Sequence, residues 1–107
     1  MFRPLYYAEG DMAGGWTYIL TNKPFGVLYV GVTADLAGRM MAHREGRGSD
    51  FVRRFNCTRL VLVEPHARID EAIAREKALK NWRRDWKLRL IADTNPEWED
   101  LFERLNQ

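Results

Sequence analysis

Between Thr17 and Val32 two runs dense in β-branched and aromatic residues flank a polar break, a pattern that predicts a β-hairpin. Its strands run over 17–21 and 27–32, and Asn22-Lys23-Pro24-Phe25-Gly26 supplies the turn chemistry. A loop of residues 22–25 sets Tyr18 directly opposite Tyr29 with both rings on one face, whereas a register shifted by one residue separates them. A helix of about three turns follows, with Thr33 as N-cap, Asp35 at its positive end and Gly46 closing it. Leu36, Met40 and His43 share one face of that helix, and Arg39 lies at the edge of the stripe, one turn from His43. Residues 47–57 read as a loop with a short helical turn, and 59–64 as a buried strand. Asp70 caps a helix through Lys80, a further helix spans 82–92, and Asn95-Pro96 ends it before a short acidic helix from Glu97.

Length and composition narrow the class. A chain of 107 residues builds one core. An apolar share of 46% with 30% charged residues excludes a disordered or membrane-embedded chain, and no apolar run approaches the ~18 residues of a membrane span. Residues 1–15 are glycine-rich and carry Glu9 and Asp11, so they read as a flexible extension rather than a signal peptide, with the domain at 16–107 and a cytoplasmic location expected. Met1 and Met12 are both candidate starts. Cys57 is the only cysteine, which excludes a disulfide framework and a cysteine metal site.

The formal net charge is only +2, but it is unevenly spread. Residues 36–59 carry +4 and residues 75–89 carry +5, while 90–107 carry −4. This asymmetry suits a polyanion-binding face, although charge runs are more often solvated helix faces. Glu76 is more telling, because its direction on the helix wheel falls among Ala72, Ile73 and Leu79. A carboxylate on an inward stripe needs an ion pair, a hydrogen-bond network or a metal ion.

Four segments, in order, carry a resemblance: YIL at 18–20, YVG at 29–31, DLxxRxxxH ending at His43, and AxxREK around Glu76. Together with TYILTNKPFGVLYVGVT, EAIAREKALKNWRR and NPEW they resemble the GIY-YIG nuclease superfamily, in particular its small single-domain bacterial members related to the excision-repair incision module. The resemblance implies an α+β fold, a central three-stranded antiparallel sheet flanked by helices in α/β/α layers. It also implies hydrolysis of a DNA phosphodiester with Mg²⁺ or Mn²⁺, one ion expected.

Carried over by position, the resemblance gives catalytic roles to Tyr18, Tyr29, Arg39, His43 and Glu76. Glu76 would hold the metal and Arg39 would neutralise the phosphate. Tyr29 is the family's usual proton acceptor, with Tyr18 as orienter or phosphate ligand, and His43 could share or take over the base role. Gly31 matches the motif's last glycine, where a bare backbone allows close approach. Arg53, Arg54, Lys80, Arg83, Arg84 and Lys87 are the candidate phosphate contacts, and Trp82 and Trp86 are expected in the core. Leu88 stands where many relatives have an asparagine, with Asn81 and Asn95 as out-of-register substitutes, and Val32 stands where the repair branch has a lysine.

The function expected is a metal-dependent endonuclease that nicks one strand of DNA in repair, recombination or processing. The alternative is a nucleic-acid-binding module with the same fold and weak or lost catalysis. RNA stays open as a substrate, and DNA shape, a protein partner or a homodimer would have to supply specificity.

Overall fold

The computed structural model describes residues 13–106. Strands β1 (Gly15–Thr21), β2 (Leu28–Thr33) and β3 (Arg59–His66) form one antiparallel sheet in the order β2-β1-β3. The central strand has apolar residues at successive positions because both its faces are covered. Tyr18 and Leu20 enter one core and Ile19 the other. Its buried threonines are satisfied, since Thr17 Oγ1 donates to Ala72 O at 2.9 Å and Thr21 Oγ1 to Lys23 O at 2.8 Å.

Helices α1 (Leu36–Arg44) and α2 (Asp50–Phe55) and a terminal 3₁₀ helix (Leu101–Asn106) cover the Tyr18 face through Leu36, Met40, Val52, Leu101 and Leu105. Helices α3 (Ile69–Asn81) and α4 (Arg84–Thr94) cover the other through Leu79 and Ile91. The expected α/β/α layering around a three-stranded antiparallel sheet is therefore present. Among the described residues no helix is long and apolar enough to cross a membrane. Gly14 N–H already bonds His66 O at 2.8 Å, so the ordered pairing starts two residues before Trp16; residues 1–12 of the expected extension, and Met12 with them, lie outside the described residues.

The hairpin differs from expectation in register. Asn22 Oδ1 accepts from Val27 N–H at 2.9 Å and Gly26 N–H bonds Lys23 O at 2.9 Å, which closes a loop of residues 22–27. The longer loop moves the pairing by two residues, so Tyr18 lies opposite Gly31, and Tyr29 opposite Leu20. A shift of two preserves the face, and the tyrosines meet diagonally instead.

Helix starts differ too. Asp35, not Thr33, caps α1, accepting from Gly38 N–H at 3.1 Å, while Thr33 Oγ1 accepts from Asp35 N–H at 3.0 Å. A side chain at position 38 would run into the Asp35 carboxylate, so Gly38 makes room for the cap. Helix α3 starts before Asp70, with the Glu71 carboxylate accepting from Arg68 N–H at 3.3 Å. Trp82 and Arg83 are extended and delay α4 to Arg84.

After α4 the chain is fastened by the buried Asn95. Its Nδ2 donates to Val61 O at 3.2 Å and Glu99 O at 2.9 Å, and its Oδ1 accepts from Glu99 N–H at 3.0 Å. These bonds pin the segment carrying Trp98 to β3, and the expected acidic helix from Glu97 forms only as the 3₁₀ turn beginning at Leu101. Asn95→Ala leaves buried backbone groups unpaired and is expected to lower unfolding stability by about 1–3 kcal/mol, as read from denaturant melts.

Candidate active site

The site is built around Tyr18, which is fully buried on the central strand. Its hydroxyl lies 3.0 Å from His43 Nε2 on α1, and the Arg39 guanidinium, one turn earlier on the same helix, reaches the same oxygen. Gly31 makes this placement possible. A Cβ there would lie 2.5 Å from the Tyr18 hydroxyl oxygen and against its ring, so the side chain that the bare backbone admits is the tyrosine. Tyr29 is half-buried beside them, its ring centroid 6.4 Å from that of Tyr18 and 5.8 Å from that of His43.

Electrostatics follow from this burial. Desolvation first, then the neighbouring Tyr29 and, least, Glu76 push the Tyr18 hydroxyl well above the usual tyrosine range, against the pull of Arg39. Burial and then the Arg39 charge push His43 below its usual value. Both groups are therefore neutral at physiological pH and share a hydrogen bond. His43 Nδ1 is buried with no partner among the described residues, and a side chain at position 48 would collide with it, so Gly48 lets the backbone close over the ring.

Glu76 sits on α3 with a side chain only 13% exposed, paired with Lys80 Nζ at 2.6 Å. Of the partners open to an inward carboxylate, an ion pair is thus present. Among the described residues no three His, Cys, Asp or Glu side chains gather as a ready metal cage. A single inward carboxylate of this kind suits a hard divalent ion completed by water and phosphate oxygens.

The basic residues divide between the two faces of the sheet. Arg53 and Arg54 lie on α2, with Arg53 paired to Asp50 at 2.8 Å. Arg83, Arg84 and Lys87 lie at α4. Arg83 pairs with Asp85 at 3.3 Å, and Arg84 donates to Phe25 O and Gly26 O at 2.9 and 2.8 Å, holding the hairpin loop. Trp82 is half-buried as expected, but Trp86 is 48% exposed and belongs to the surface rather than the core. Leu88 packs against the α3–α4 core. Neither substitute amide joins the site: Asn95 fastens the chain after α4 and Asn81 Nδ2 bonds Lys77 O at 3.1 Å.

Phe51 is a neighbour that the sequence pattern did not bring out. Its ring stacks on Tyr29 at 5.8 Å and 29°, and the i, i+4 spacing of Phe51 and Phe55 in a six-residue helix was the available signal.

A family model described as the GIY-YIG catalytic domain matches residues 14–89, which include Tyr18, Tyr29, Gly31, Arg39, His43 and Glu76. The chain belongs to the GIY-YIG family. This is a family of nucleases. Similar small GIY-YIG relatives include a UPF0213 protein of Staphylococcus saprophyticus, 32% identical over 73% of this chain and 94% of the relative. Others are UPF0213 proteins of Staphylococcus epidermidis and Staphylococcus aureus, 31% and 34% identical, each over 64% of this chain and 83% of the relative. No solved structure matches.

The neutral His43 of this GIY-YIG site carries a pH signature. Its folded-state value is depressed, so the unfolded chain binds more protons as the solution turns acidic. Its contribution to stability is full above the unfolded value near 6.5 and is lost as pH falls through the folded value. His43→Gln is expected to flatten the fall in melting temperature below pH ~6.5 relative to wild type, measured by thermal melts across that range.

Proposed function

We propose that this chain is a divalent-metal-dependent endonuclease that hydrolyses a DNA phosphodiester one strand at a time. The observation that supports it most is the meeting of the Tyr18 hydroxyl, Arg39, His43 and Tyr29 on one face of the sheet. Hydrolysis needs positive charge where the phosphoryl oxygens gain negative charge, a proton acceptor for water, and help for the departing 3′ oxygen.

Arg39 is exposed and carries the fork that matches a phosphate, so it takes the first task. Tyr18, neutral and buried with its hydroxyl on His43, acts as an orienter that holds Arg39 from behind. Of the three rings Tyr29 alone is half-exposed, and it is the group placed to receive the nucleophile's proton. His43 is 3% exposed with Nε2 committed to Tyr18, which makes it a positioning residue rather than the base. Glu76 is the residue that would hold a Mg²⁺ or Mn²⁺ ion, in exchange for its pairing with Lys80, and such an ion supplies charge neutralisation and acidified water. Arg53, Arg54, Lys80, Arg83, Arg84 and Lys87 remain proposed backbone contacts, those on α2 being the nearer to the tyrosines. Gly31 acts in this scheme beneath Tyr18 rather than on the nucleic acid. A cytoplasmic role in DNA repair, recombination or processing is the setting proposed.

Purified protein is expected to cleave supercoiled, branched or single-stranded DNA with magnesium or manganese. Glu76→Ala and Tyr29→Phe should each lower the cleavage rate by about 10²–10⁴-fold, followed by gel assay. Salt-sensitive DNA binding without cleavage, unchanged by either substitution, would instead identify a binding module of the same fold.

A further inference from the structure

Helix α2 is short, and its one buried residue, Val52, anchors it to the Tyr18 face of the sheet. Ser49 caps it, with its hydroxyl accepting from Phe51 N–H at 3.0 Å, and this fixes where the first turn points. Phe51 and Phe55, four residues apart, then lie side by side with centroids 4.7 Å apart, and both remain about two-fifths exposed, at 39% and 40%. Phe51 continues inward onto Tyr29 at 5.8 Å. A row of rings therefore leads from the buried Tyr18 through Tyr29 to solvent.

Leaving two phenylalanines open to water has a cost that burial would remove. The surroundings identify what covers them. Arg54 lies over the Phe55 ring at 5.6 Å and forms no ion pair among the described residues, and Arg39 stands at the inner end of the row. Aromatic faces flanked by guanidinium groups match a strand of nucleotides, whose bases stack while its phosphates meet the cations. In a continuous duplex each base face is already covered by its stacked neighbour, so only unpaired or splayed bases offer a face to these rings.

We infer that Phe51 and Phe55 are a stacking platform for unpaired bases next to the scissile phosphate, so that the site takes single-stranded or splayed nucleic acid in preference to continuous duplex. The inference rests on the proposed nuclease site, because continuity with Tyr29 is what places the platform beside the chemistry.

The test uses full-length Glu76→Ala protein, which binds without cutting, and fluorescein-labelled oligothymidine against a duplex of equal length. Phe51→Ala and Phe55→Ala should each weaken oligothymidine binding by about 5- to 150-fold, the equivalent of one stacked base, and leave duplex binding unchanged. Phe51→Trp should retain it, which separates loss of stacking from loss of folding. A single-stranded oligonucleotide carrying 2-aminopurine should be quenched on binding, and the quenching should disappear in the alanine variants. Oligouridine bound through the same rings would extend the platform to RNA. Equal losses on single strand and duplex, or no loss on either, would overturn the inference, as would failure to bind any nucleic acid. Stacking on a protein whose wild type cleaves nothing would leave the platform standing and remove the nuclease reading instead.

Discussion

The hydrogen bond between Tyr18 and His43 crosses the core from the central strand to α1, and the site depends on it. It fixes a hydroxyl at the end of a fully buried ring, for which Gly31 leaves the space on β2. The same burial that orders the hydroxyl keeps it protonated and keeps the imidazole neutral. Arg39 follows from the same helix, since His43 one turn later holds its register. A neutral donor, a guanidinium and a half-exposed tyrosine thus sit together without a buried unpaired charge.

Much of this was legible in the sequence because the chemistry lies on regular elements. The hairpin and the helix carrying Arg39 and His43 follow from periodicity, and the layers around a three-stranded sheet from the family resemblance. Pairing register did not follow, because it is set by where Asn22 and Lys23 close the loop, and a two-residue shift leaves the hydrophobic pattern unchanged. The consequence is chemical: opposite Tyr29, Tyr18 would meet another ring, whereas opposite Gly31 it has room to reach α1. Gly38 shows the same limit, since its reason is a contact with the Asp35 cap. Asn95 carries no periodic signal either, as its three bonds are to backbone groups far apart in the chain or across a turn.

The two basic blocks, similar in net charge, part company in space. Arg84 and Arg83 spend their guanidinium groups on a loop and on Asp85, on the face away from the tyrosines. Helix α2 carries a smaller charge but lies against Tyr29. That arrangement sets the exposed Arg39 and the half-exposed Tyr29, the proposed phosphate-facing groups, in front of the buried Tyr18 hydroxyl.

The most direct measurement is a crystal structure of Tyr29→Phe protein with magnesium and a single-stranded oligonucleotide. The proposed site predicts one phosphate on Arg39 beside the ring at position 29, with the ion on the Glu76 carboxylate and Lys80 displaced from it. A strand lying along α4, with Arg39 untouched and Glu76 still paired with Lys80, would contradict it.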